Sequence, residues 1–330
     1  MSITVLAPAK VNLFLGIGPR REDGYHDAVS VMQALMLHDT LSFTMIPTGA
    51  YVKGLMYDDG TLAFETIEEG GLSVGIETLW REGMEECEIP LEENLVTRAV
   101  FALARAFDFP MKGGLRISVE KHIPMQAGLG GGSADAAATL VGCAALWGIN
   151  REDPRLDEVA RSLGADVAFF LHGGCGVYGG RGDVLERTLA PRKDSVLLVI
   201  PEGGVSTAEA YRTFDQDPQE VTPELHAQVD AAAVAAEIPL FNNLAPAAEQ
   251  LLPELSAVRE WAAGADGVVD VLLSGSGSAS FCVCKDPETA LRLAVDARAK
   301  GWRTRVTNFT SLRASVLPQS NQTNLGATRV

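Results

Sequence analysis

The chain has 330 residues, 47% hydrophobic and 21% charged, which is a globular composition and a length that suits two domains better than one. Its formal net charge of −16 argues against a general nucleic-acid-binding protein, although local positive charge or main-chain N–H groups still allow an anionic substrate. The sequence begins without a basic segment ahead of a long apolar core, and no apolar run approaches membrane-spanning length, so we expect a cytoplasmic protein that contacts neither nucleic acid nor membrane.

The first part of the chain predicts strands and a hairpin. Residues 3–17 are predicted as a strand interrupted at Pro8, and residues 41–46 as a second strand that follows the apolar stretch 28–37. The segment 60–93 is rich in acidic residues and contains glycines, which predicts an elaborated surface hairpin of strands and loops.

Helices and strands then follow one another without a regular strand–helix–strand repeat, which favours an α+β fold over a doubly wound sheet. We place a domain boundary near Pro191 and expect the polar residues 315–330 to form a frayed tail. Apolar spacing predicts helices over residues 94–107, 133–147, 156–163, 208–214, 224–236, 244–263 and 287–300, and strands over 115–119, 196–200, 268–273 and 280–284.

The five cysteines are scattered along the chain and odd in number. Cys282 and Cys284 are two residues apart in an apolar run, so they share a face if that run is a strand. Their spacing does not supply the two C-x-x-C pairs of a zinc site. We interpret all five as buried thiols of a reducing compartment, with a redox or metal role as the alternative, and we predict no metal held by protein ligands alone.

A glycine-rich turn at residues 128–132 lies between a predicted strand and a predicted helix. Glycine has no Cβ, so the main chain of such a turn can approach a bulky anion, and the free N–H groups of the following helix point toward it. The turn lacks the Gly-Lys-Ser/Thr ending of a Walker A loop, and Ser133 replaces the third glycine of a dinucleotide fingerprint. The pattern indicates phosphate binding, with Ser133 as a helix cap or a contact to a phosphate-bound metal; a tight helix entry is the alternative.

Six separated segments resemble one family. PAKVNL at residues 8–13 and DGYH at 23–26 are similar to the N-terminal signature of the 4-diphosphocytidyl-2-C-methyl-D-erythritol kinases, members of the GHMP kinase superfamily. PMQAGLGGGSAD at residues 124–135 resembles their glycine loop, and LSGSGS at 273–278 resembles the third superfamily motif. LGADV at residues 163–167 and VSTAEAY at 205–211 resemble two further segments of the same kinases, so that the resemblance covers about residues 1–312.

This resemblance implies a two-domain GHMP kinase fold. Residues 1–190 would form the ATP-binding domain, with a ribosomal-protein-S5-like fold, and residues 191–314 a C-terminal ferredoxin-like α/β-plait domain. The implied activity is ATP-dependent phosphorylation of the 2-hydroxyl of 4-diphosphocytidyl-2-C-methyl-D-erythritol, in the non-mevalonate pathway of isoprenoid synthesis. Mg²⁺ would be carried with the nucleotide, and the protein would be a monomer or a homodimer.

The resemblance also implies a catalytic pair and a base-binding pocket. Asp166 would accept the proton of the substrate hydroxyl and Lys10 would polarise that hydroxyl; a helix cap and a surface lysine are the alternatives. Tyr25 and Tyr211 would stack on opposite faces of the cytosine ring and His26 would hydrogen-bond its edge, with ordinary packing as the alternative. The remaining substrate-binding residues implied by the resemblance are Asn12, Thr207 and Gly275.

The implied ATP site combines a helix start, a strand end and the glycine loop. Asn94 matches the family residue beside the adenine, and Lys121 would approach it; an ordinary helix start and a solvated strand end are the alternatives. Asp135 replaces a common asparagine, and Ala134 removes a common hydroxyl, so the contacts there stay open. The full set is Asn94, Lys121, Pro124, Met125, Gln126, Ala127, Gly128, Leu129, Gly130, Gly131, Gly132, Ser133, Ala134 and Asp135.

Two other interpretations of the sequence remain. Another GHMP kinase, of the homoserine or mevalonate type, would phosphorylate an alcohol that carries no cytidylyl group. A catalytically inactive relative would bind a ligand without turning over ATP, and the intact Lys10 and Asp166 argue against it.

Overall fold

A computed structural model of the chain describes residues 2–22, 24–46, 66–81, 84, 86, 87, 89–110 and 112–318. The strands are β1 (Ser2–Arg20), β2 (His26–Ile46), β3 (Thr66–Glu69), β4 (Leu72–Trp80), β5 (Gly113–Lys121), β6 (Cys175–Gly179), β7 (Val184–Leu189), β8 (Ser195–Ile200), β9 (Phe241–Asn242), β10 (Val268–Leu273), β11 (Ser280–Cys284), β12 (Arg303–Asn308) and β13 (Ser315–Val316). The helices are α1 (Leu95–Ala106), α2 (Gly131–Trp147), α3 (Pro154–Leu163), α4 (Ala165–His172), α5 (Thr207–Phe214), α6 (Pro223–Ala231), α7 (Ala245–Leu251), α8 (Glu254–Ala263) and α9 (Pro287–Ala299), with a short 3-10 turn at Ala235–Glu237.

The larger sheet has nine strands and is built around the long antiparallel pair β1 and β2. Its main order is β13-β1-β2-β5-β4-β3, with β6 and β7 continuing from the first part of β2, and β9 pairing with β1 in parallel. The register of β1 on β2 shifts between Pro8 and Lys10, because proline has no N–H to donate to the ladder.

The smaller sheet is antiparallel and has the order β10-β11-β8-β12. Along the chain its strands alternate with helices as strand–helices–strand–strand–helix–strand, which is the split βαβ arrangement of ferredoxin-like plaits. The prediction of an α+β fold is therefore confirmed, and the expected ferredoxin-like arrangement is present in the smaller sheet.

Helix α2 covers one face of the larger sheet, and small residues on the helix allow it to pack close to the strands. A Cβ added at Gly142 would stand 2.7 Å from the ring of Phe43 on β2, so glycine is needed for the helix to rest on that strand. Ala136, Ala137 and Ala138 are fully buried in the same layer. This close packing fixes the N-terminus of α2, and with it the end of the glycine loop, against the sheet.

Several predicted elements differ from the structure in extent. The apolar stretch 28–37 belongs to β2, which starts at His26. The helix predicted over 244–263 is two helices, because the residue before Pro253 is disfavoured in helical conformation and Leu252 ends α7 instead. The helix predicted over 224–236 ends at Ala231. Strands β6, β7, β9, β12 and β13 had not been predicted, and the last of these takes up Ser315 and Val316 from the segment expected to fray.

The acidic hairpin and the cysteines give mixed outcomes. Strands β3 and β4 form an antiparallel hairpin at the edge of the larger sheet, while residues 60–65 of the predicted hairpin lie outside the described residues.

Cys282 and Cys284 are buried on β11, as expected. Cys87 is exposed, so the prediction that all five thiols are buried was wrong for this residue, which lies in an irregular segment before α1.

Candidate active site

The two predicted catalytic residues meet between the larger sheet and helix α4. Lys10 lies on β1 at the shifted register and is only 4% exposed, which rules out a surface lysine. Its Nζ lies 3.4 Å from Asp166 Oδ2 and donates a 2.7 Å hydrogen bond to Asn12 Oδ1. Asn12 in turn donates through Nδ2 to Ser30 Oγ at 2.9 Å. A chain of polar contacts therefore fixes the direction of the lysine side chain.

Asp166 is in the first turn of α4, where the positive end of the helix dipole favours a carboxylate. Gly164 is the N-cap of this helix, so the alternative role of Asp166 as the cap is ruled out. Its side chain is 36% exposed, whereas Lys10 is buried. The pair therefore presents an accessible carboxylate backed by a buried ammonium, an arrangement that can accept a proton from a hydroxyl placed beside it.

The glycine loop connects β5 to α2 and runs beside Lys10. Gly130 is the N-cap of α2 in the left-handed conformation, so the helix begins at Gly131, two residues earlier than predicted. Ser133 is consequently inside the first turn, and the proposal that it caps the helix was wrong. A Cβ at Gly130 would stand 2.7 Å from the Phe170 ring and 3.2 Å from the Lys10 side chain. Only glycine allows the loop to pass this close to the predicted catalytic lysine.

The other side of the loop rests on the segment between β10 and β11. The N–H of Ser278 donates to the carbonyl of Gln126 at 3.2 Å, and Ser274 Oγ donates to the carbonyl of Gly128 at 2.9 Å. A Cβ at Gly128 would lie 2.0 Å from the Ser274 carbonyl oxygen, so no larger residue fits without moving one of the segments. Gln126 has a φ of +50°, a left-handed conformation that glycine adopts more easily.

Lys121 is anchored at the root of the loop between two buried aspartates, and therefore is not the solvated strand end that was the alternative. Its Nζ donates to Asp39 Oδ2 and, at 2.6 Å, to Asp135 Oδ2. Burial opposes its charge, but the attraction of Asp135 and Asp39 outweighs burial and raises the pKa of Lys121. A Cβ at Gly131 would be 3.5 Å from this ammonium, which places Lys121 directly beneath the loop.

Asp39 is a site residue that the sequence analysis missed. It is completely buried, and its Oδ1 accepts hydrogen bonds from the main-chain N–H groups of His122 and Ile123. These bonds hold the chain where it leaves β5 and enters the loop. Asp135 lacks such donors and its Oδ1 has no hydrogen-bond partner among the described residues. Burial raises the pKa of Asp135, the attraction of Lys121 lowers it, and the repulsion of Asp39 raises it further. The resulting pKa is about 7.

The predicted base-binding residues surround a second part of the cleft. The ring centres of His26 and Tyr211 are 5.4 Å apart, and His26 Nε2 is 3.2 Å from Asp215 Oδ1. Its Nδ1 lies 2.9 Å from the carbonyl of Gly18, so both ring nitrogens face acceptors within the protein. A base that binds the His26 ring must share it with Asp215. Burial, and then the charge of nearby Asp166, raise the pKa of Tyr211 to about 12.

Tyr25, Thr207 and Gly275 have different surroundings. Tyr25 is 56% exposed, and the guanidinium of Arg181 lies over its ring, 5.0 Å from the ring centre. Thr207 Oγ1 is 2.9 Å from Ser276 Oγ in the third motif. Gly275 has a φ of +59°, and its carbonyl accepts a hydrogen bond from Asn242, which had not been predicted to take part in the site.

The remaining predicted ATP-binding residues lie along the loop or beside it. Asn94 is the N-cap of α1 and accepts a 2.9 Å hydrogen bond from the N–H of Val96, which matches the alternative of an ordinary helix start. The next residue, Leu95, approaches Gly132, so the starts of α1 and α2 are neighbours. Pro124, Ala127, Leu129 and Ala134 are buried, whereas Met125, Gly132 and Ser133 are at least partly exposed.

The donor set at the loop suits a phosphate chain better than a metal held by the protein. Gly131 and Gly132 open α2 without side chains to obstruct their N–H groups, and Ser133 adds a hydroxyl. Across the described part of the chain, no group of three or more His, Cys, Asp or Glu side chains converges to hold a metal ion. The described helices include none long and apolar enough to cross a membrane.

Comparisons with known proteins identify the family. The model of the GHMP kinases N-terminal domain matches residues 94–174, and that of the GHMP kinases C-terminal domain matches residues 224–301. A crystal structure of a homoserine kinase from Cytophaga hutchinsonii, 18% identical, superposes with a TM-score of 0.64 over 96% of this chain and 97% of that chain, which shows the shared fold alone.

More similar proteins carry a single name. A 4-diphosphocytidyl-2-C-methyl-D-erythritol kinase from Desulfitobacterium hafniense is 35% identical, over 93% of this chain and 95% of the relative, and one from Pelotomaculum thermopropionicum is 37% identical, over 90% and 94%. A crystal structure of a 4-(cytidine 5'-diphospho)-2C-methyl-D-erythritol kinase is 33% identical, with a TM-score of 0.69 over 94% of this chain and 99% of that chain. The chain belongs to the family of 4-diphosphocytidyl-2-C-methyl-D-erythritol kinases, within the GHMP kinases.

Proposed function

We propose that this protein transfers the γ-phosphoryl group of ATP to the 2-hydroxyl of 4-diphosphocytidyl-2-C-methyl-D-erythritol, giving the 2-phosphate and ADP. The observation that carries the proposal is the placement of Lys10 Nζ 3.4 Å from Asp166 Oδ2, with the glycine loop alongside. Phosphoryl transfer to an alcohol needs a positioned hydroxyl, an acceptor for its proton and donors around the phosphates. Asp166 would be the acceptor, and the main-chain N–H groups of the loop would be the donors.

Asp166 is the proposed general base and Lys10 its partner. The exposed carboxylate of Asp166 accepts the proton of the 2-hydroxyl as the oxygen attacks the γ-phosphorus. The Lys10 ammonium, held by Asn12, stabilises the negative charge that develops on that oxygen. Because Lys10 is buried, water does not screen this interaction from its side of the cleft.

The glycine loop and the N-terminus of α2 are the proposed phosphate site. Their main-chain N–H groups would bind the phosphates of ATP. Lys121, whose charge is balanced by Asp39 and Asp135, would approach the nucleotide from beneath the loop. Mg²⁺ bound to the nucleotide would neutralise phosphate charge, with Ser133 as the residue to contact it. Asn94 and the neighbouring start of α1 would border the nucleoside.

The cytidine group is the proposed basis of specificity. Tyr25 and Tyr211 offer flat rings, and the ring centre of Tyr211 lies 5.4 Å from that of His26, which supports a base pocket formed by these residues. Stacking holds a flat base and edge contacts from His26 would select cytosine. Asn12, Thr207 and Gly275 would contact the erythritol and diphosphate portions.

We also propose a division of the chain and a cellular setting. A boundary near Pro191 separates residues 1–190 from 191–314, and the change from the larger sheet to β8 of the smaller sheet supports it. Strand β9, within residues 191–314, pairs with β1 of the larger sheet, so the two domains are in contact. The protein would act in the cytoplasm as a monomer or a homodimer. Ser315 and Val316 belong to β13, so the tail expected over residues 315–330 would begin after them.

A coupled assay of ADP release tests the proposed substrate. Saturating ATP and Mg²⁺ are supplied with 4-diphosphocytidyl-2-C-methyl-D-erythritol, 2-C-methyl-D-erythritol, mevalonate or homoserine in parallel. We expect turnover with the first compound and at least a hundredfold lower kcat/KM with the others, because only the first engages the base pocket. Equal turnover of 2-C-methyl-D-erythritol would refute the assignment of that pocket.

A further inference from the structure

A groove of about 770 Å³ opens between the two sheets, away from the proposed catalytic cleft. It is lined by β2 residues around His38, by Arg81 and His122 at the ends of β4 and β5, by residues 191–193, and by residues 306–311. Asp39 and Lys121, the sequence neighbours of His38 and His122, reach toward Asp135 on α2. Successive side chains of a strand point to opposite faces, so the groove lies on the face of the larger sheet opposite α2.

The lining of this groove is basic in a strongly acidic protein. The groove is lined by His38, Arg81, His122, Arg192 and Lys193, and none of the described residues that line it is acidic, although the chain has a net charge of −16. Arg192 is neutralised by Asp194 at 2.9 Å. Arg81 and Lys193 are exposed, and neither forms an ion pair with a carboxylate of the described residues.

Arg305 lies on β12 next to Val306, a residue that lines the groove. Burial, followed by the repulsion of Arg81, Arg303 and Arg298, lowers the pKa of Arg305. Arg81 Nη1 also donates a 3.1 Å hydrogen bond to His122 Nδ1, so Nε2 of that ring carries the proton. Like charges close to one another are unfavourable, and a bound anion would relieve that repulsion.

We propose that this groove binds the phosphate or diphosphate group of a small anionic metabolite at a site separate from the catalytic cleft. Arg81 supplies a planar guanidinium that can donate two parallel hydrogen bonds to phosphate oxygens, and Lys193 supplies a compact ammonium in the same groove. Thr310 and Ser311, which carry hydroxyl groups, also line the groove. The site does not depend on the proposed substrate, since none of its residues belongs to the catalytic pair, the loop or the base pocket.

Titration calorimetry of the full chain with inorganic diphosphate tests the proposal. The experiment uses magnesium-free buffer of low ionic strength and saturating ADP, so that the nucleotide site is filled. The test variant is Arg81→Gln with Lys193→Gln. The matched control is Arg98→Gln with Lys112→Gln, which removes the same charges from exposed positions on α1 and at the start of β5. Circular dichroism establishes that both variants are folded.

We expect one diphosphate to bind the wild-type protein and the control alike. Each removed charge-assisted contact should weaken binding on the order of tenfold, so the test variant should bind at least thirtyfold more weakly. Binding should also fall steeply with added salt. Loss of diphosphate binding when ADP is present would mean that only the nucleotide site binds it, and would overturn the proposal. Equal binding by the test and control variants would overturn it as well.

Discussion

The main-chain N–H of Lys10 donates a 3.0 Å hydrogen bond to the carbonyl of Leu129, in the middle of the glycine loop. A main-chain hydrogen bond therefore joins the predicted catalytic lysine to the predicted phosphate loop, and this bond does not depend on a ligand. The same loop is bonded to the third motif through Ser274 and Ser278. A change in one of these three segments is expected to move the other two.

The catalytic pair gives the first prediction. Asp166→Asn keeps the shape of the side chain but cannot accept a proton, so kcat should fall on the order of 10² to 10⁴ while ATP affinity is retained. Lys10→Ala should cause a similar loss, and the double variant should lose far less than the product of the two, because the residues act as a unit. Steady-state kinetics and nucleotide titration measure these effects.

Asp157→Asn is the control for this prediction. Asp157 pairs with Arg161 and with His172 at the end of α4, so it borders the same helix without facing Lys10. Its replacement should leave kcat within about twofold, since exposed ion pairs contribute little. Near-normal turnover by a folded Asp166→Asn protein would remove Asp166 as the base.

The loop gives the second prediction. Gly128 and Gly148 both have a φ close to +70°, but a Cβ at Gly128 would lie 2.0 Å from the Ser274 carbonyl, whereas a Cβ at Gly148 has nothing within 4 Å. Gly148→Ala should therefore lose only the roughly 1–2 kcal/mol expected for alanine in a left-handed conformation. Gly128→Ala should lose more stability and raise KM for ATP at least tenfold. Chemical denaturation and kinetics compare the two, and equal effects would show that the close contact is not needed.

The third prediction concerns pH. The pKa of Asp135 is raised to about 7 in the folded protein, from the ordinary value of 3.8 for an aspartate side chain. Between these values the folded state holds a proton that the unfolded chain has released, so this group makes the free energy of unfolding fall as pH rises from 4 to 7. The slope is at most about 1.4 kcal/mol per pH unit. Asp135→Asn should remove this slope and gain stability relative to wild type toward pH 7.

Asp39→Asn is the contrasting variant at the same cluster. Asp39 accepts two main-chain N–H bonds and binds Lys121, so its loss leaves buried donors without their charged acceptor. It should destabilise the protein by roughly 3–5 kcal/mol at every pH. Urea denaturation at pH 5, 6, 7 and 8 separates the two variants. Similar pH profiles for wild type and Asp135→Asn would contradict the raised pKa.

The base pocket gives the fourth prediction. Tyr211→Leu preserves apolar volume near His26 but removes the aromatic face. If Tyr211 stacks on cytosine, KM for the cytidylylated substrate should rise roughly 5- to 150-fold, corresponding to about 1–3 kcal/mol of stacking. KM for ATP should not change, because the loop is untouched. An unaltered substrate KM would leave Tyr211 as a packing residue.

Much of the candidate site could be predicted from sequence motifs, because each of its segments consists of consecutive residues with a recognisable pattern. The loop, Lys10 and the Gly-Ala-Asp segment could be found this way, and apolar spacing gave α1, α3 and α9 nearly at their true bounds. Asp39 could not be found, since a single aspartate in a strand has no local pattern and its role depends on pairing with Lys121 across the sheet.

Dependence on tertiary pairing also explains why two of the strands, β9 and β13, were not predicted. β9 and β13 have two residues each and exist only through their pairing with β1, so they leave no periodic signal in the sequence. The start of α2 depends on the left-handed conformation of Gly130, and any of the neighbouring glycines is compatible with such a turn. Long-range register and the choice among glycines are tertiary properties.

The proposed phosphoryl transfer is tested most directly by ³¹P NMR analysis of the product. The protein is incubated with ATP, Mg²⁺ and 4-diphosphocytidyl-2-C-methyl-D-erythritol. We predict one new phosphate monoester resonance per ADP formed, with the two diphosphate resonances of the substrate retained and the phosphorus coupled to the quaternary carbon at position 2. Release of inorganic phosphate without a monoester, or a monoester at another hydroxyl, would contradict the proposed transfer from ATP to the 2-hydroxyl.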